Sequence, residues 1–151
     1  MTDTFTDRAE RLRAYWHARR GDRAMPARKD IDPIDLPSLL SHLVLVDVVD
    51  RGVDFRMRLV GTVVRERSSA NPVGRLFSEQ FPSQGNSQMW RDYSRVVTER
   101  QPITADIAYV GQDEYTRRAR HILFPLSSDG EAVDMVMTLV DYDRALPSSR
   151  A

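Results

Sequence analysis

The chain has 151 residues, of which 41% are apolar and 29% charged, so its size and composition are those of one folded domain rather than a disordered chain. It contains no cysteine, which excludes disulfides, thiol catalysis, and zinc–thiolate or iron–sulfur sites. The 22 basic and 22 acidic residues cancel, so no overall field attracts the protein to nucleic acid or to a membrane.

The N-terminal segment, residues 1–22, carries an apolar stripe at helical spacing and is predicted to form an amphipathic flanking helix. Thr4 followed by Asp7 is typical of a capping box, and Gly21 is a favourable stop. Because the stripe needs an apolar partner, we expect this helix to cover one face of the predicted sheet, with the middle helices on the other, and also to offer a dimer or partner surface. The residues predicted for that surface are Phe5, Leu12 and Trp16.

Residues 23–42 contain three prolines and are predicted to be a connector with at most one short helical turn, near residues 37–42. The β-branched run at 43–49 and the alternating residues 55–60 then indicate two strands of a hairpin. Thr62 is predicted to cap a short helix that ends near residue 68.

The second half of the chain begins with a possible turn at 76–81 and a helical stripe from Met89 to Val97. Three strands are predicted after it, and the last carries apolar residues on both sides, which is typical of a central strand covered on both faces. Together the elements predict an α+β domain with an antiparallel sheet. The predicted strands cover residues 103–109, 115–126 and 133–140; the core covers 43–143, and 144–151 are a frayed tail.

Short motifs accompany these elements in a fixed order. They are Trp16, Arg20-Gly21, Pro26, Arg28, Asp30-Ile31-Asp32-Pro33, Phe55, Arg58-Leu59, Gly61-Thr62, Gly74-Arg75, Pro102, Pro125-Leu126-Ser127 and Asp129-Gly130. From Leu12 to Tyr142 the chain resembles a family of small, often stand-alone PAS-like domains of alphaproteobacteria. It departs from that family at residues 68–72, a weak version of the expected glycine-containing loop, which bears on the conformation of the helical insert.

The resemblance implies a PAS-like five-stranded antiparallel sheet, a helical insert after the second strand, and a pocket between them. It also implies a sensory or regulatory role through small-molecule binding, protein contact or both, rather than a reaction. The cofactor is unknown from the sequence. The side chains expected to line the pocket are Phe55, Met57, Trp90, Tyr93, Tyr109, His121, Met135 and Met137.

Catalytic motifs are absent from the sequence. The three histidines form no closely spaced pair, no serine lies in a Gly-x-Ser-x-Gly elbow, and no glycine-rich phosphate loop exists. The alternative to a sensory domain is a small α+β enzyme that uses His121 with a carboxylate such as Asp106. Haem ligation through His121 also stays open, whereas the missing cysteine excludes covalent flavin attachment and thiolate ligation.

Arginines supply nearly all the positive charge, and residues 1–29 hold eight Arg or Lys against four Asp or Glu. This N-terminal segment can bind an acidic surface of a partner or can be a solvated helix face. Arg117, Arg118 and Arg120 are interpreted as a charged strand edge or an anion site. Arg58 is expected to face solvent or to pair with an acid such as Asp30 or Asp32.

No output domain fits in the residues outside the predicted core, so we expect the domain to transmit a signal by contact with another protein or a second copy of itself. We therefore predict a homodimer, an unidentified signalling protein partner, or both. The longest apolar run, Leu43–Val46, is too short to cross a membrane, and the N-terminus lacks the order of a signal peptide. The sequence predicts a cytoplasmic protein with no membrane and no nucleic-acid partner.

Overall fold

A computed structural model describes residues 4–66, 71–80, 88–110 and 116–143. Its strands form an antiparallel sheet of five strands in the order β2-β1-β5-β4-β3, so β5 is central. The predicted fold class and the central position of the last strand are confirmed. The elements are α1 (Phe5–Arg20), β1 (Leu43–Val49), β2 (Asp54–Val60), α2 (Thr62–Arg65), α3 (Phe77–Gln80), α4 (Gln88–Glu99), β3 (Ile103–Val110), β4 (Thr116–Leu126) and β5 (Met135–Asp143).

Helix α1 begins and ends at its predicted signals. The Thr4 hydroxyl accepts a hydrogen bond from the Asp7 backbone N–H, and the Asp7 carboxylate accepts one from the Thr4 N–H, which closes the capping box. Gly21 follows the last helical residue with a φ of 58°, a backbone conformation that glycine adopts without strain. Local hydrogen bonds therefore define the start of α1, and the backbone conformation of Gly21 defines its end.

The two faces of the sheet are covered by different helices. On β5, Thr138 lies under α4, and we call this side the inner face; its hydroxyl is 2.7 Å from that of Tyr93. Met137 alternates with Thr138 and pairs with Phe124, whose ring centroid is 6.1 Å from that of Trp16 in α1. We call this second side the outer face.

Helix α1 uses its apolar stripe to cover the outer face of its own sheet. Leu12 is 0% exposed and Trp16 is 3% exposed, and the Trp16 indole N–H donates to the Pro125 carbonyl oxygen at 2.9 Å. Arg8 and Asp141 form an ion pair beside them. The prediction that Leu12 and Trp16 form a dimer or partner surface is therefore corrected, because their apolar area is already buried within the chain; Phe5 is half-buried.

The connector at 23–42 contains more turns than the sequence predicts. Three 3-10 turns form instead of one, at Arg28–Asp30, Pro33–Asp35 and Leu40–His42. Aspartates stabilise the first two, since Asp30 accepts from the Ala27 N–H at 2.8 Å and Asp32 accepts from the Ile34 N–H at 3.0 Å. Local side-chain hydrogen bonds thus replace the hydrogen bonds that a longer helix would supply.

Two interpretations of arginines are revised in part. Arg58 is exposed to solvent, as one alternative predicted, but its ion-pair partner is Asp47 on the neighbouring strand of the hairpin at 2.9 Å, not Asp30 or Asp32. Arg120 belongs to β4, which lies between β3 and β5 and so is not a sheet edge, and its guanidinium pairs with Asp106 at 3.1 Å. The side chains of Arg117 and Arg118, and the predicted tail at 144–151, lie outside the described residues.

Gly61 is required where β2 meets α2, of which it is the N-cap in place of the predicted Thr62. Its N–H donates to the Leu43 carbonyl oxygen at 2.8 Å, and a Cβ atom built on it would lie 2.3 Å from the Ser41 carbonyl oxygen. Because the obstructing atoms are backbone, a rotamer change cannot relieve the clash.

We expect Gly61→Ala to lower the free energy of unfolding by about 1–3 kcal/mol, since the added methyl must displace a backbone segment. Urea denaturation followed by circular dichroism measures this change. The control is Gly74→Ala, where no atom lies within 4 Å of the new Cβ and only the positive φ of 86° opposes a side chain, whereas Gly61 has an ordinary φ of −66°. If the loss at Gly61 does not exceed the loss at Gly74, the close approach to Ser41 is not what requires glycine.

Candidate functional site

Helix α4 positions the side chains that face the inner surface of the sheet. Tyr93 and Val96 are buried, and Trp90 is half-buried, as expected for an apolar stripe at helical spacing. The helix ends at Glu99, and Arg100 follows it with a left-handed φ of 57°, shortly before Pro102. Between these limits α4 lies against β3 and β4.

Four ring side chains from three elements meet between α4 and the inner face, and we call them the aromatic group. Phe55 of β2 lies 5.2 Å from Phe77 of α3 and 5.5 Å from Tyr93, measured between ring centroids. Phe77 is 5.1 Å from Tyr93 and 5.9 Å from Trp90. Edge-to-face and tilted arrangements at these distances are favourable beyond the area they bury.

The Tyr93 hydroxyl anchors the aromatic group to the centre of the sheet. It lies 2.7 Å from the Thr138 hydroxyl, and both residues are buried, at 3% and 0% exposure. Burial raises the pKa of the Tyr93 phenol above its ordinary value, although the Thr138 hydrogen bond acts in the opposite direction. The phenol therefore stays protonated as a hydrogen-bond donor or acceptor throughout the neutral pH range.

A second polar contact joins α4 to β4. The His121 Nε2 atom is 3.1 Å from the Asp92 Oδ2 atom, and the two side chains are only 4% and 8% exposed. The His121 ring also packs edge-on against the Tyr93 ring at 6.4 Å. A buried carboxylate and imidazole are stable here because each satisfies the other.

The structure brings together four of the eight predicted pocket residues, namely Phe55, Trp90, Tyr93 and His121. Met57 lies on the same inner face, since it pairs with Val46 and through it with Val136. The other predicted residues are placed differently. Met135 and Met137 belong to the outer face, because they alternate with Val136 and Thr138, and the Tyr109 side chain lies outside the described residues.

Three members of this site were missed by sequence reasoning: Phe77, Asp92 and Thr138. Asp92 did carry a signal, because it lies three residues after Met89 and four before Val96, on the apolar stripe of its helix. A carboxylate at such a position indicates a buried partner. Thr138 is a polar residue between apolar neighbours on a central strand, which is the corresponding signal in a sheet.

His121 meets a carboxylate, as the catalytic alternative requires, but not the one suggested from the sequence. Asp106, the carboxylate suggested for His121, pairs with Arg120, whose guanidinium lies over Phe5 of α1 and therefore on the outer face. His121 instead meets Asp92. Within the described ranges, no cluster of three or more His, Cys, Asp or Glu is placed to hold a metal ion.

A family model for the PAS domain matches residues 5–140. The chain belongs to the PAS domain family. No curated protein matches it. Solved structures share the fold at low identity: the LOV protein of Rhodobacter sphaeroides has 11% identity and a TM-score of 0.50, and the alignment covers 74% of this chain and 68% of that one.

An RNA-binding light-oxygen-voltage receptor is also similar, with 16% identity and a TM-score of 0.51. The alignment covers 77% of this PAS domain but only 35% of the receptor, so this chain corresponds to about a third of that protein. Membership of the PAS family supports a sensory domain and confirms the PAS resemblance drawn from the sequence, whereas the alphaproteobacterial origin in that resemblance stays a prediction. None of the helices in the described ranges has the length and apolar character needed to cross a membrane.

Proposed function

We propose that this PAS domain senses a small molecule bound between α4 and the inner face of the sheet, and that it signals by contact with a partner protein. The observation that carries the proposal is the convergence of the aromatic group with two buried polar contacts, Tyr93–Thr138 and Asp92–His121. Ligand pockets combine apolar and aromatic walls with a few placed polar groups, and this site has both.

The two polar contacts also supply a way to pass on a signal. Both connect α4 to the sheet, one at β5 and one at β4. A ligand that hydrogen-bonds to Tyr93 or His121 must compete with Thr138 or Asp92, so its binding changes how firmly α4 is held. A ligand shifts a conformational equilibrium only through such differential contacts.

Screening a library of compounds by thermal shift tests the claim that the domain binds a small molecule. A compound that binds the folded state at a hundred times its Kd stabilises it by about 2.7 kcal/mol, which raises Tm by roughly 5–10 °C for a chain of this length. We expect Tyr93→Phe to reduce the shift given by such a compound, because it removes the hydroxyl and preserves the ring. Native mass spectrometry of protein purified from its own host would identify a resident ligand directly.

The matched control is Tyr15→Phe. Tyr15 lies on α1, its hydroxyl donates to Asp35 at 2.9 Å, and it has no contact with the aromatic group. The Tyr15→Phe variant should leave the ligand-induced rise in Tm unchanged. An equal reduction in both variants, or a host-purified protein with no added mass and no response to the library, would contradict small-molecule sensing.

The partner contact and the predicted homodimer stay proposals. With Leu12 and Trp16 buried in the chain's own fold, a homodimer would have to use other residues. Light scattering of the purified protein measures its mass in solution and decides between monomer and dimer.

A further inference from the structure

One flank of α1, beside its apolar stripe, carries a row of positively charged and imidazole side chains that the fold does not neutralise. Arg13, His17 and Arg20 follow each other at four and three residues, so they lie on one line along the helix. We call these three residues the basic ridge. At the helical rise it extends over about 10 Å.

Other arginines of this region have acidic partners within the fold. Arg8 pairs with Asp141. Arg19 pairs with Asp35 at 2.9 Å and Arg23 with Asp30 at 2.9 Å. Over the described ranges of the chain, by contrast, no carboxylate lies within 4.0 Å of a ridge nitrogen. The acids are therefore distributed so that one flank of α1 is neutralised and the ridge is not.

The ridge arginines are held in place without being neutralised. The Arg13 guanidinium lies 6.0 Å from the centre of the Phe124 ring, and that of Arg20 lies 5.9 Å from the Trp16 ring. Arg20 also donates from Nε to the His17 Nδ1 atom at 3.2 Å and from a terminal nitrogen to the Arg23 carbonyl oxygen at 3.0 Å. Side chains ordered in this way lose less entropy when an anion binds.

We propose that the basic ridge docks an acidic segment of a partner protein, with carboxylates spaced to match one face of a helix. Two fixed arginines separated by two helical turns complement Glu or Asp at positions i and i+7, and the intervening His17 faces position i+4. Glu10 and Asp22 flank the ridge along the chain and limit the positive surface to this short row. That short extent favours a protein segment over a nucleic acid, whose phosphates require a longer basic track.

The inference rests on the proposed function only in that a sensory domain needs a partner. The ridge and the ligand site are on opposite faces of the sheet, so the two can fail separately. A wild-type chain that shows no ligand-induced shift but binds at the ridge would count against the proposed ligand site alone.

The experiment measures fluorescence anisotropy with the full chain and a labelled, alanine-rich helical peptide that carries Glu at i, i+4 and i+7. We expect saturable binding that weakens as NaCl rises from about 50 to 200 mM, since exposed charges are screened over this range. The double variant R13E/R20E should raise Kd at least about tenfold, which corresponds to roughly 1.4 kcal/mol.

A matched double variant, R65E/R75E, makes the same change of net charge at exposed arginines elsewhere in the fold. It should change Kd less than about twofold if the ridge itself is the site. Circular dichroism verifies that both variants are folded. Equal losses in the two variants, or no binding of the glutamate peptide at low salt, would overturn the proposal. A single-stranded oligonucleotide that binds more tightly than the peptide and loses affinity in R13E/R20E would replace the acidic protein with a nucleic acid.

Discussion

Trp16→Ala is expected to lower the free energy of unfolding by about 3–5 kcal/mol, the usual loss when a buried tryptophan is truncated. The indole is 3% exposed, packs against Phe124, and donates to the Pro125 carbonyl oxygen, so the variant creates a cavity and leaves a buried acceptor unpaired. Chemical denaturation measures the change. In this structure Trp16 stabilises the fold of each monomer, and its loss should appear as unfolding rather than as separation of folded subunits.

Two further variants separate the contribution of the Trp16 hydrogen bond from that of burying the apolar stripe. Trp16→Phe preserves most of the ring contact but removes the N–H donor, and we expect it to cost about 1–3 kcal/mol. Leu12→Asp places a charge at a position with 0% exposure and should prevent α1 from docking altogether. A Leu12→Asp protein that keeps its monomer stability and changes only its mass in light scattering would show that the stripe serves an intermolecular contact instead.

Asp92→Ala is expected to cost about 2–5 kcal/mol, because it leaves the His121 imidazole buried without its partner. The double variant Asp92→Ala with His121→Ala should be less destabilised than the sum of the two single variants. A coupling of about 1–3 kcal/mol is typical of side chains in direct buried contact. The cycle is measured by urea denaturation of the four proteins.

Arg95 and Glu99 supply the control for this cycle on the same helix. Their ion pair at 2.8 Å is similar in length, but both side chains are solvent-exposed. A corresponding cycle should give a coupling close to zero, since water and salt screen exposed pairs. If the Asp92–His121 coupling is equally small, the pair does not hold α4 to the sheet, and the signalling route proposed through it is wrong.

The cap of α1 and most strand positions of this protein were predictable because they depend on neighbours in sequence. The capping box joins residues three apart, Thr4 and Asp7. Strand β1 occupies residues 43–49 as predicted, and the alternation of Met135, Met137 and Leu139 on β5 describes one face correctly. A hydrogen bond or an alternation that spans a few residues leaves its pattern in the local sequence.

The alternation of side chains along the strands does not predict which helix covers which face of the sheet. The alternation on β5 separates Met137 from Thr138, but only the docking of α4 on the Thr138 side assigns one to the site and the other to the outer face. The same problem affected Arg58, for which several acids were equally plausible partners in sequence. The hairpin register decided in favour of Asp47.

The sequence alone predicts the α+β fold class, the amphipathic character of α1, and the chemistry excluded by the missing cysteines. Tertiary structure alone decided that the α1 stripe is buried against its own sheet and not in a dimer, and that Asp92 meets His121 across 29 residues. The physical reason is that an apolar stripe or a buried carboxylate specifies the kind of partner it needs, whereas the identity of that partner depends on strand order and register, which no local pattern encodes.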